Sequence, residues 1–447
     1  MNVRDSEAVT ALMLAAGHTL AANEDEAECV IVNSCTVRQK AEDKAVGKTG
    51  YLCSTGKLVG LMGCGVKRLG ADVFKVLPKL DFAVGPRAFG LIPKIISDLT
   101  SSDDLSREAD IPVRAKRSAK KQILELGDNL IPSGLDAHEV HGFQAFVTAM
   151  IGCDNRCSYC IVPDVRGHEY SRPAAEIVAE VESLAKNGVK EVTLLGQSVL
   201  RYGTRNPVYP VDPNNSNIKE PFTRLLRELS VIDGLERIRF TSAHPHGCTD
   251  ELIKVYQECP KVCRHLHLPV QSGSDRVLKE MGRHYTREEY LSAVKKLRDF
   301  DPEFSLTTDV IVGYPGETEE DFELTRSLME EAQFDNAFIF KYSPRPGTRS
   351  AKLPDDVTKE EKERRDQVLL ADQELRGQQR NDKLVGTIRE VMVEGPSKRN
   401  PNRLSGRDSG NRIVVWDKED GKDWKAGTLA RVKIKEAHPQ ILIGEVA

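Results

Sequence analysis

Cys153-Asp154-Asn155-Arg156-Cys157-Ser158-Tyr159-Cys160 sets three thiols at spacings of four and three residues inside one short loop. The apolar run before it, Phe143 to Ile151, has the character of a strand, which puts the loop at a strand's carboxyl end. Thiolates this close can face a common centre, an iron–sulfur cluster or a zinc ion. Their number matters. A cubane held by three cysteines keeps one iron open to a small molecule, whereas a closed structural zinc site needs a fourth protein ligand. His168 is the nearby candidate for that place. Unligated, the three would be small buried hydrophobes.

The rest of the chain limits what such a centre can serve. With 447 residues the chain exceeds a single core, and two or three domains are expected. Charged residues make up 30% with a net charge of only −4, so a nucleic-acid partner would have to be met by a local patch. Ten cysteines without a secretory signal argue against a disulfide framework and for a reducing, cytoplasmic setting. Met1-Asn2-Val3-Arg4-Asp5 does not read as a targeting peptide. No apolar run approaches the roughly 18 residues that a spanning helix needs, so no membrane partner is expected.

Upstream of the cysteine loop, residues 1–100 alternate helix and strand. Helices are expected over Asp5–Ala16, Ala41–Cys53 and Phe89–Leu99. Strands are expected over Cys29–Val32, Leu58–Met62 and Asp81–Gly85. Short apolar strands between helices imply a parallel, doubly wound sheet, whose ligands sit at the strands' carboxyl ends. Cys35 and Cys64 both fall at such ends beside small residues, the alternative being plain packing. Cys29 and Cys53 read as core. Residues 101–141 shift in composition and read as a linker, mostly loop. Its basic run Arg114 to Lys121 could touch phosphate or stand solvated.

From 142 to 353 six strand candidates alternate with helices: Phe143–Ile151, Glu191–Leu195, Arg237–Thr241, His265–Val270, Ser305–Val312 and Asn336–Tyr342. That pattern implies a partial TIM-like (βα)6 barrel, with its chemistry at the carboxyl ends of the strands. The cysteine loop, Gly196-Gln197, Ser242 to His244, Gln271-Ser272-Gly273 and Gly313 to Glu317 gather there. Each alone could be a turn or a local backbone contact. His265 and His267, two apart on a strand, could mimic a metal pair but would flank a strand whose end already carries Gln271. Residues 354–386 read as a charged connecting helix packed lightly on the barrel. Residues 387–447 read as a small five-stranded β-barrel. Its first loop, Ser397 to Arg407, carries Lys398, Arg399, Arg403 and Arg407, which suits phosphate and ribose contacts or a solubilising hairpin.

Together these features resemble the radical S-adenosylmethionine methylthiotransferase family, with its N-terminal methylthiotransferase domain, central radical domain and C-terminal TRAM domain. The resemblance covers nearly the whole chain. Its carrying segments are Met1 to Glu7, Asn33 to Arg38, Gly63-Cys64-Gly65, Ile151 to Pro173, Leu268 to Ser274, Asp309 to Glu317 and Val393 to Arg412. Arg38-Gln39-Lys40-Ala41-Glu42 and Val393 to Arg399 are most similar to the branch that acts on N6-isopentenyl adenosine beside the tRNA anticodon. Other branches act on threonylcarbamoyladenosine or on a ribosomal protein; outside the enzyme class stands a non-catalytic, cluster-containing RNA-binding protein.

The resemblance implies two [4Fe-4S] clusters. Cys153, Cys157 and Cys160 would hold the one that cleaves S-adenosylmethionine reductively to a 5′-deoxyadenosyl radical, which takes hydrogen from C2 of the adenine. Cys35 and Cys64 would ligate part of an auxiliary cluster that carries the sulfur a second S-adenosylmethionine methylates. Tyr159, Gly196, Gln271, Gly313 and Gly316 would border the S-adenosylmethionine pocket. Lys398, Arg399, Arg403 and Arg407 would contact tRNA. An electron donor such as flavodoxin or ferredoxin and a sulfur donor are implied, with the enzyme monomeric. Two departures stand out. Asp164 occupies a place that is usually aromatic. The family's first auxiliary-cluster cysteine lies in a Gly-Cys-Gln just before Met-Asn, where this chain begins; the expectation is that this ligand and its strand are missing and that the natural start lies upstream.

Overall fold

Helix-length spacers between short apolar strands supply the crossovers that parallel pairing needs, and the computed structural model pairs the strands so in both parts of the chain. It describes residues 1–100, 122–127, 136–138, 142–210, 220–418 and 424–447. In the first part α1 (Asn2–Ala15), β1 (Cys29–Ser34), α2 (Gln39–Leu52), β2 (Leu58–Gly63), α3 (Cys64–Leu69), α4 (Val73–Val76), β3 (Phe82–Val84), α5 (Ile92–Thr100) and β4 (Ile123–Glu125) follow one another. The sheet runs β1-β2-β3-β4, parallel throughout. One core packs Ala8, Val9, Phe82, Val84, Ile92 and Ile96; a second packs Leu52, Val59, Leu61, Val66, Val73 and Ala83. Neighbours Phe82 and Ala83 fall in different cores, as the two faces of a doubly wound sheet require.

Within 101–141, read as mostly loop, the described residues include β4, which pairs with β3. Three residues are too few to show a period, so the strand exists by virtue of its partner. The basic run Arg114 to Lys121 lies outside the described residues.

The second part begins with β5 (Gln144–Thr148), β6 (Met150–Ile151), α6 (Val162–Arg166), β7 (Tyr170–Ser171), α7 (Ala174–Lys186), β8 (Glu191–Leu195), α8 (Pro221–Ser230) and β9 (Arg237–Phe240). It continues through α9 (Asp250–Glu258), β10 (His265–His267), α10 (Asp275–Glu280), α11 (Arg287–Phe300), β11 (Ser305–Val312), α12 (Glu319–Ala332) and β12 (Asn336–Lys341). Strands β5-β8-β9 and β10-β11-β12 form two parallel sheets, joined by a bridge between Ile238 and Val262. This is the expected open barrel, with its strands in chain order. Thr286 and Thr318 start α11 and α12 with capping boxes, their side chains accepting from Glu289 and Asp321 N–H groups.

Helix α13 (Lys359–Asp382) is more firmly seated than its charge suggests. Arg365, Leu369, Gln373 and Arg376 are buried at helical spacing, and Arg365 Nη1 lies 2.7 Å from the buried Glu317 carboxylate. Long charged side chains bury their stems when the head finds a partner. The last element is a closed barrel of β13 (Ile388–Pro396), β14 (Arg403–Asp408), β15 (Ile413–Asp417), β16 (Leu429–Ala437) and β17 (Ile441–Val446), ordered β13-β14-β15-β17-β16 around Trp416, Val393, Val414 and Leu442. Arg403 to Arg407, read as loop, are strand. Their alternation of polar residues with Leu404 and Gly406 is the two-sided pattern of a barrel strand.

The hairpin between β14 and β15 seals the amino-terminal end of the open barrel with buried charge. Asp335, just before β12, accepts from Arg412 (2.7 Å), Arg298 (3.2 Å), Arg380 (3.5 Å) and the N–H of Leu306 (2.9 Å). Burial opposes its ionisation, but the guanidinium groups, Arg412 foremost, win and hold its carboxyl below the usual range. A group depressed in this way contributes stability above its unfolded value, and the contribution is lost as pH falls through the folded one. Asp335→Ala should therefore cost about 3–5 kcal/mol at neutral pH by leaving buried cations unpaired. In urea unfolding the gap from wild type should shrink once pH drops below about 4.

Candidate active site

The loop that follows β6 is held at both ends by backbone contacts. Gly152 has φ +72°, and a Cβ there would stand 2.0 Å from the His168 carbonyl oxygen. Cys153 is buried, and its N–H donates to the Gly167 oxygen at 3.0 Å. The N–H of Asp154 donates to the buried Glu169 (3.3 Å), and the Asp154 carboxylate meets His168 Nδ1 at 2.6 Å. His168, the spacing's candidate for a fourth ligand, is thus paired to the loop itself. Cys157 and Cys160 are half-buried.

Residues 156–159 rest on the carboxyl-end loops of the open barrel. Ser158 donates its N–H to the Met281 oxygen (2.8 Å), and its hydroxyl meets Tyr314 Oη at 2.9 Å. Tyr159 packs with Val277, Met281, Tyr314 and Tyr342. Arg283 Nη1 lies 3.5 Å from Cys157 Sγ. The buried guanidinium is braced by Nε on Tyr285 Oη (3.1 Å) and Nη2 on the Pro269 oxygen (3.3 Å), and it stacks 5.1 Å from the centre of the Tyr285 ring. Nothing local in the sequence announces Arg283, which reaches back across 126 residues. It sets a fixed positive charge beside the Cys157 sulfur.

Among the described residues no group of three or more His, Cys, Asp or Glu side chains is arranged around a single metal ion. A cubane makes a different demand, since each thiolate takes its own corner iron. Three thiols in one loop, with a guanidinium directed at one of them, fit a cluster of that kind.

In the N-terminal sheet, Ser34 pairs with Gly63, so the next residues, Cys35 and Cys64, leave adjacent strand ends together. Cys64 is buried and Cys35 half-buried. Burial pushes the Cys64 thiol up, and Arg166, which hydrogen-bonds it, opposes the shift. Arg166, on α6, also donates to Asp5 Oδ2 (2.8 Å) and Asn2 Oδ1 (3.0 Å). Cys29 opens β1 at the opposite end from Cys35, and burial pushes its thiol up to about 12. Cys53 is buried just after α2.

The residues assigned to a pocket at the strand ends have mixed reasons for being there. Gly196 is required by packing, since a Cβ would stand 2.6 Å from Met150 Cγ. Gly313 has φ +70° and donates its N–H to Glu317 (3.0 Å). Gly316 donates its N–H to Asp356 (2.7 Å) and has open space around its Cα. Gln271 is a non-glycine at φ +72°, held by its N–H on Asp309 and its carbonyl on Ile311. His244 is half-buried near this end, and desolvation with Arg283 nearby lowers its imidazole to about 3, so it stays neutral. In the terminal barrel Lys398 and Arg399 stand exposed in the turn after β13. Arg403 and Arg407 are drawn to Asp417 (2.8 Å) and Glu394 (3.0 Å).

Comparison with known proteins adds names to this arrangement. The chain matches the Radical SAM superfamily over residues 147–329, the TRAM domain over 382–447 and the uncharacterized protein family UPF0004 over 1–85. It is 40% identical over 476 residues to the tRNA-2-methylthio-N(6)-dimethylallyladenosine synthase of Opitutus terrae, covering 100% of this chain and 95% of that one. The enzyme of the same name from Geobacter metallireducens is 41% identical over 453 residues, covering 100% and 96%. Among solved structures, the radical S-adenosylmethionine methyltransferase TsrM of Kitasatospora setae aligns with TM-score 0.51 at 16% identity, over 78% of this chain and 68% of that one. That likeness concerns the fold alone.

Gly152→Ala tests the loop's geometry without any cofactor. The added methyl meets backbone, which cannot swing aside, and the residue needs a left-handed φ. A loss of about 2 kcal/mol or more is expected in denaturant unfolding.

Proposed function

The chain belongs to the tRNA-2-methylthio-N(6)-dimethylallyladenosine synthase family within the radical S-adenosylmethionine superfamily, and from that premise we propose that it methylthiolates C2 of N6-isopentenyl adenosine beside the tRNA anticodon. The observation that carries this reading is end-to-end similarity to such enzymes, with the three-cysteine loop intact. The family's cofactors are a [4Fe-4S] cluster and S-adenosylmethionine.

Cys153, Cys157 and Cys160 would hold the cluster, and Cys35 with Cys64 would supply ligands to a second one. When bound, the first cluster would supply the one-electron cleavage of S-adenosylmethionine, and hence the radical that a C–H bond as inert as adenine C2 requires, and the second would carry the sulfur. The protein's own residues do the placing. Arg283 keeps positive charge at Cys157. Ser158 and Tyr159 anchor the loop to Met281 and Tyr314. Arg166 holds Cys64 in place against Asp5 and Asn2. Tyr159, Gly196, Gln271, Gly313 and Gly316 border the S-adenosylmethionine pocket in this reading.

In the terminal barrel the RNA contacts fall first to Lys398 and Arg399, because Arg403 and Arg407 already have carboxylate partners. An electron donor such as flavodoxin or ferredoxin and a sulfur donor complete the reaction. No helix among the described residues is long and apolar enough to cross a membrane; a cytoplasmic, monomeric enzyme suits a tRNA substrate.

Nucleoside analysis of tRNA from cells with and without the gene tests the whole reading. Its loss should leave isopentenyl adenosine without the methylthio group. Loss of that group from threonylcarbamoyladenosine instead would reassign the substrate. Cys157→Ala should release 5′-deoxyadenosine only at background level, and normal release would refute the ligand assignment. Neutralising Lys398 and Arg399 together should lower the slope of log affinity against log salt by about 1.4, at ~0.7 per phosphate contact on single strands.

A further inference from the structure

The inner face of the open barrel carries a group of side chains with no role so far. Along β11 the positions Leu306, Val310 and Val312 are buried with Leu266 of β10 and Ala337 of β12 in the helix-facing core. Successive side chains on a strand point to opposite faces, so Thr307 and Asp309 face inward. In register with them stand His267 on β10 and Phe338 on β12.

These four make contact. His267 Nδ1 is 3.0 Å from Thr307 Oγ1, and its Nε2 is 3.4 Å from Asp309 Oδ2. The His267 ring meets Phe338 edge to face, with centroids 5.9 Å apart. Phe338 nevertheless remains 47% exposed. A single exposed phenylalanine on an outer surface would call for no explanation. Phe338 differs because it lies on the concave side, and its neighbour is an imidazole whose two nitrogens are both engaged. Below it Arg239, Arg412 and Asp335, with His265 kept neutral by burial, close the amino-terminal end. The face is therefore open toward the strands' carboxyl ends, where Ser158 and Tyr159 are anchored.

We infer that Phe338 is the stacking platform for the target nucleobase, with the His267–Asp309 pair at its polar edge. The inference rests on the proposed tRNA substrate and names the surface that receives its base. A base that is to be modified must leave its stack, and aromatic side chains replace the lost neighbour. Asp309 has lone pairs to spare after its contact with His267, and an ionised carboxylate can only accept, so it calls for a ligand edge that donates. The exocyclic amine of an N6-substituted adenine offers one N–H. The chemical class that fits is thus an unstacked, amine-bearing purine.

The test uses the full chain with its clusters reconstituted and two anticodon stem–loop RNAs. One carries isopentenyl adenosine at the target position and the other an abasic residue there. Wild type should bind the base-bearing RNA about tenfold more tightly, the lower-to-middle range for one stacked base. Phe338→Ala should lose that preference, and Phe338→Trp, which keeps a π face, should retain it. Phe338 is half in solvent, so neither change threatens the fold. If Phe338→Ala still discriminates like wild type, or Phe338→Trp fails like Phe338→Ala, the platform is wrong. Nucleoside analysis of tRNA from cells with and without the gene separates the two ideas. Loss of the methylthio group from isopentenyl adenosine without the gene, together with unaltered discrimination by Phe338→Ala, overturns only the platform, whereas persistence of that group without the gene overturns the substrate reading and the platform with it.

Discussion

Asp335 is a carboxylate taken out of water and set among Arg298, Arg380 and Arg412, with the N–H of Leu306 on its second oxygen. Desolvating such a group costs several kcal/mol in real proteins, and a single ion pair seldom repays that. Three cations and a backbone donor do, which is why the carboxyl stays ionised despite its burial. The contacts join elements far apart in sequence: α11, the start of β11, the start of β12, α13 and the β14–β15 hairpin. The hairpin is bound further through Asp408, which accepts from Arg389 (3.0 Å) and passes its own carbonyl to Arg239 (2.9 Å). The terminal barrel is thereby fixed in one orientation against the amino-terminal end of the open barrel. Apolar contact alone would permit sliding; a directional network does not.

That closure has a consequence at the other end. With helices on the outer face of the sheet and charge beneath its floor, the carboxyl-end mouth is where ligands are expected. The backbone there is held in uncommon conformations. Ser242 and Gln271, both non-glycine, have φ of 65° and 72° after β9 and β10. Residues in this region cost of order 1–3 kcal/mol unless their surroundings over-determine them. Gln271 is so determined, since its N–H and carbonyl engage Asp309 and Ile311 on β11. The chain leaving β10 is locked against its neighbour instead of swinging free, and the loops that follow inherit that rigidity.

How much of this was legible in the sequence depended on the range of the determinants. Strands of five to eight residues, such as Glu191–Leu195 and Ser305–Val312, declare themselves by apolar composition and flanking turns. Helices with a Thr cap and an acidic third position, such as α11 and α12, do the same. The three-residue β4 and the polar β14 do not, because their evidence lies in the partner strand. The thiols were legible because a cluster needs its ligands on one loop, and spacing records that need. Arg283 and Phe338 were not legible. Each acts on a residue from a distant strand or loop, and neither carries a local mark beyond its residue type.

This difference in range also bears on recognition. The chain is net acidic, and of the four cations in the terminal barrel's first hairpin two are neutralised by Asp417 and Glu394. Two exposed cations give weak, sequence-blind attraction to a phosphate backbone. Discrimination must then come from contacts to the base itself, which single-stranded RNA presents by its faces and edges. An aromatic face flanked by a carboxylate–imidazole pair would supply such contacts at low entropic cost, because every member is already held by the sheet. On the proposed reading, affinity would come from an exposed, charge-based periphery and selectivity from the barrel's inner face.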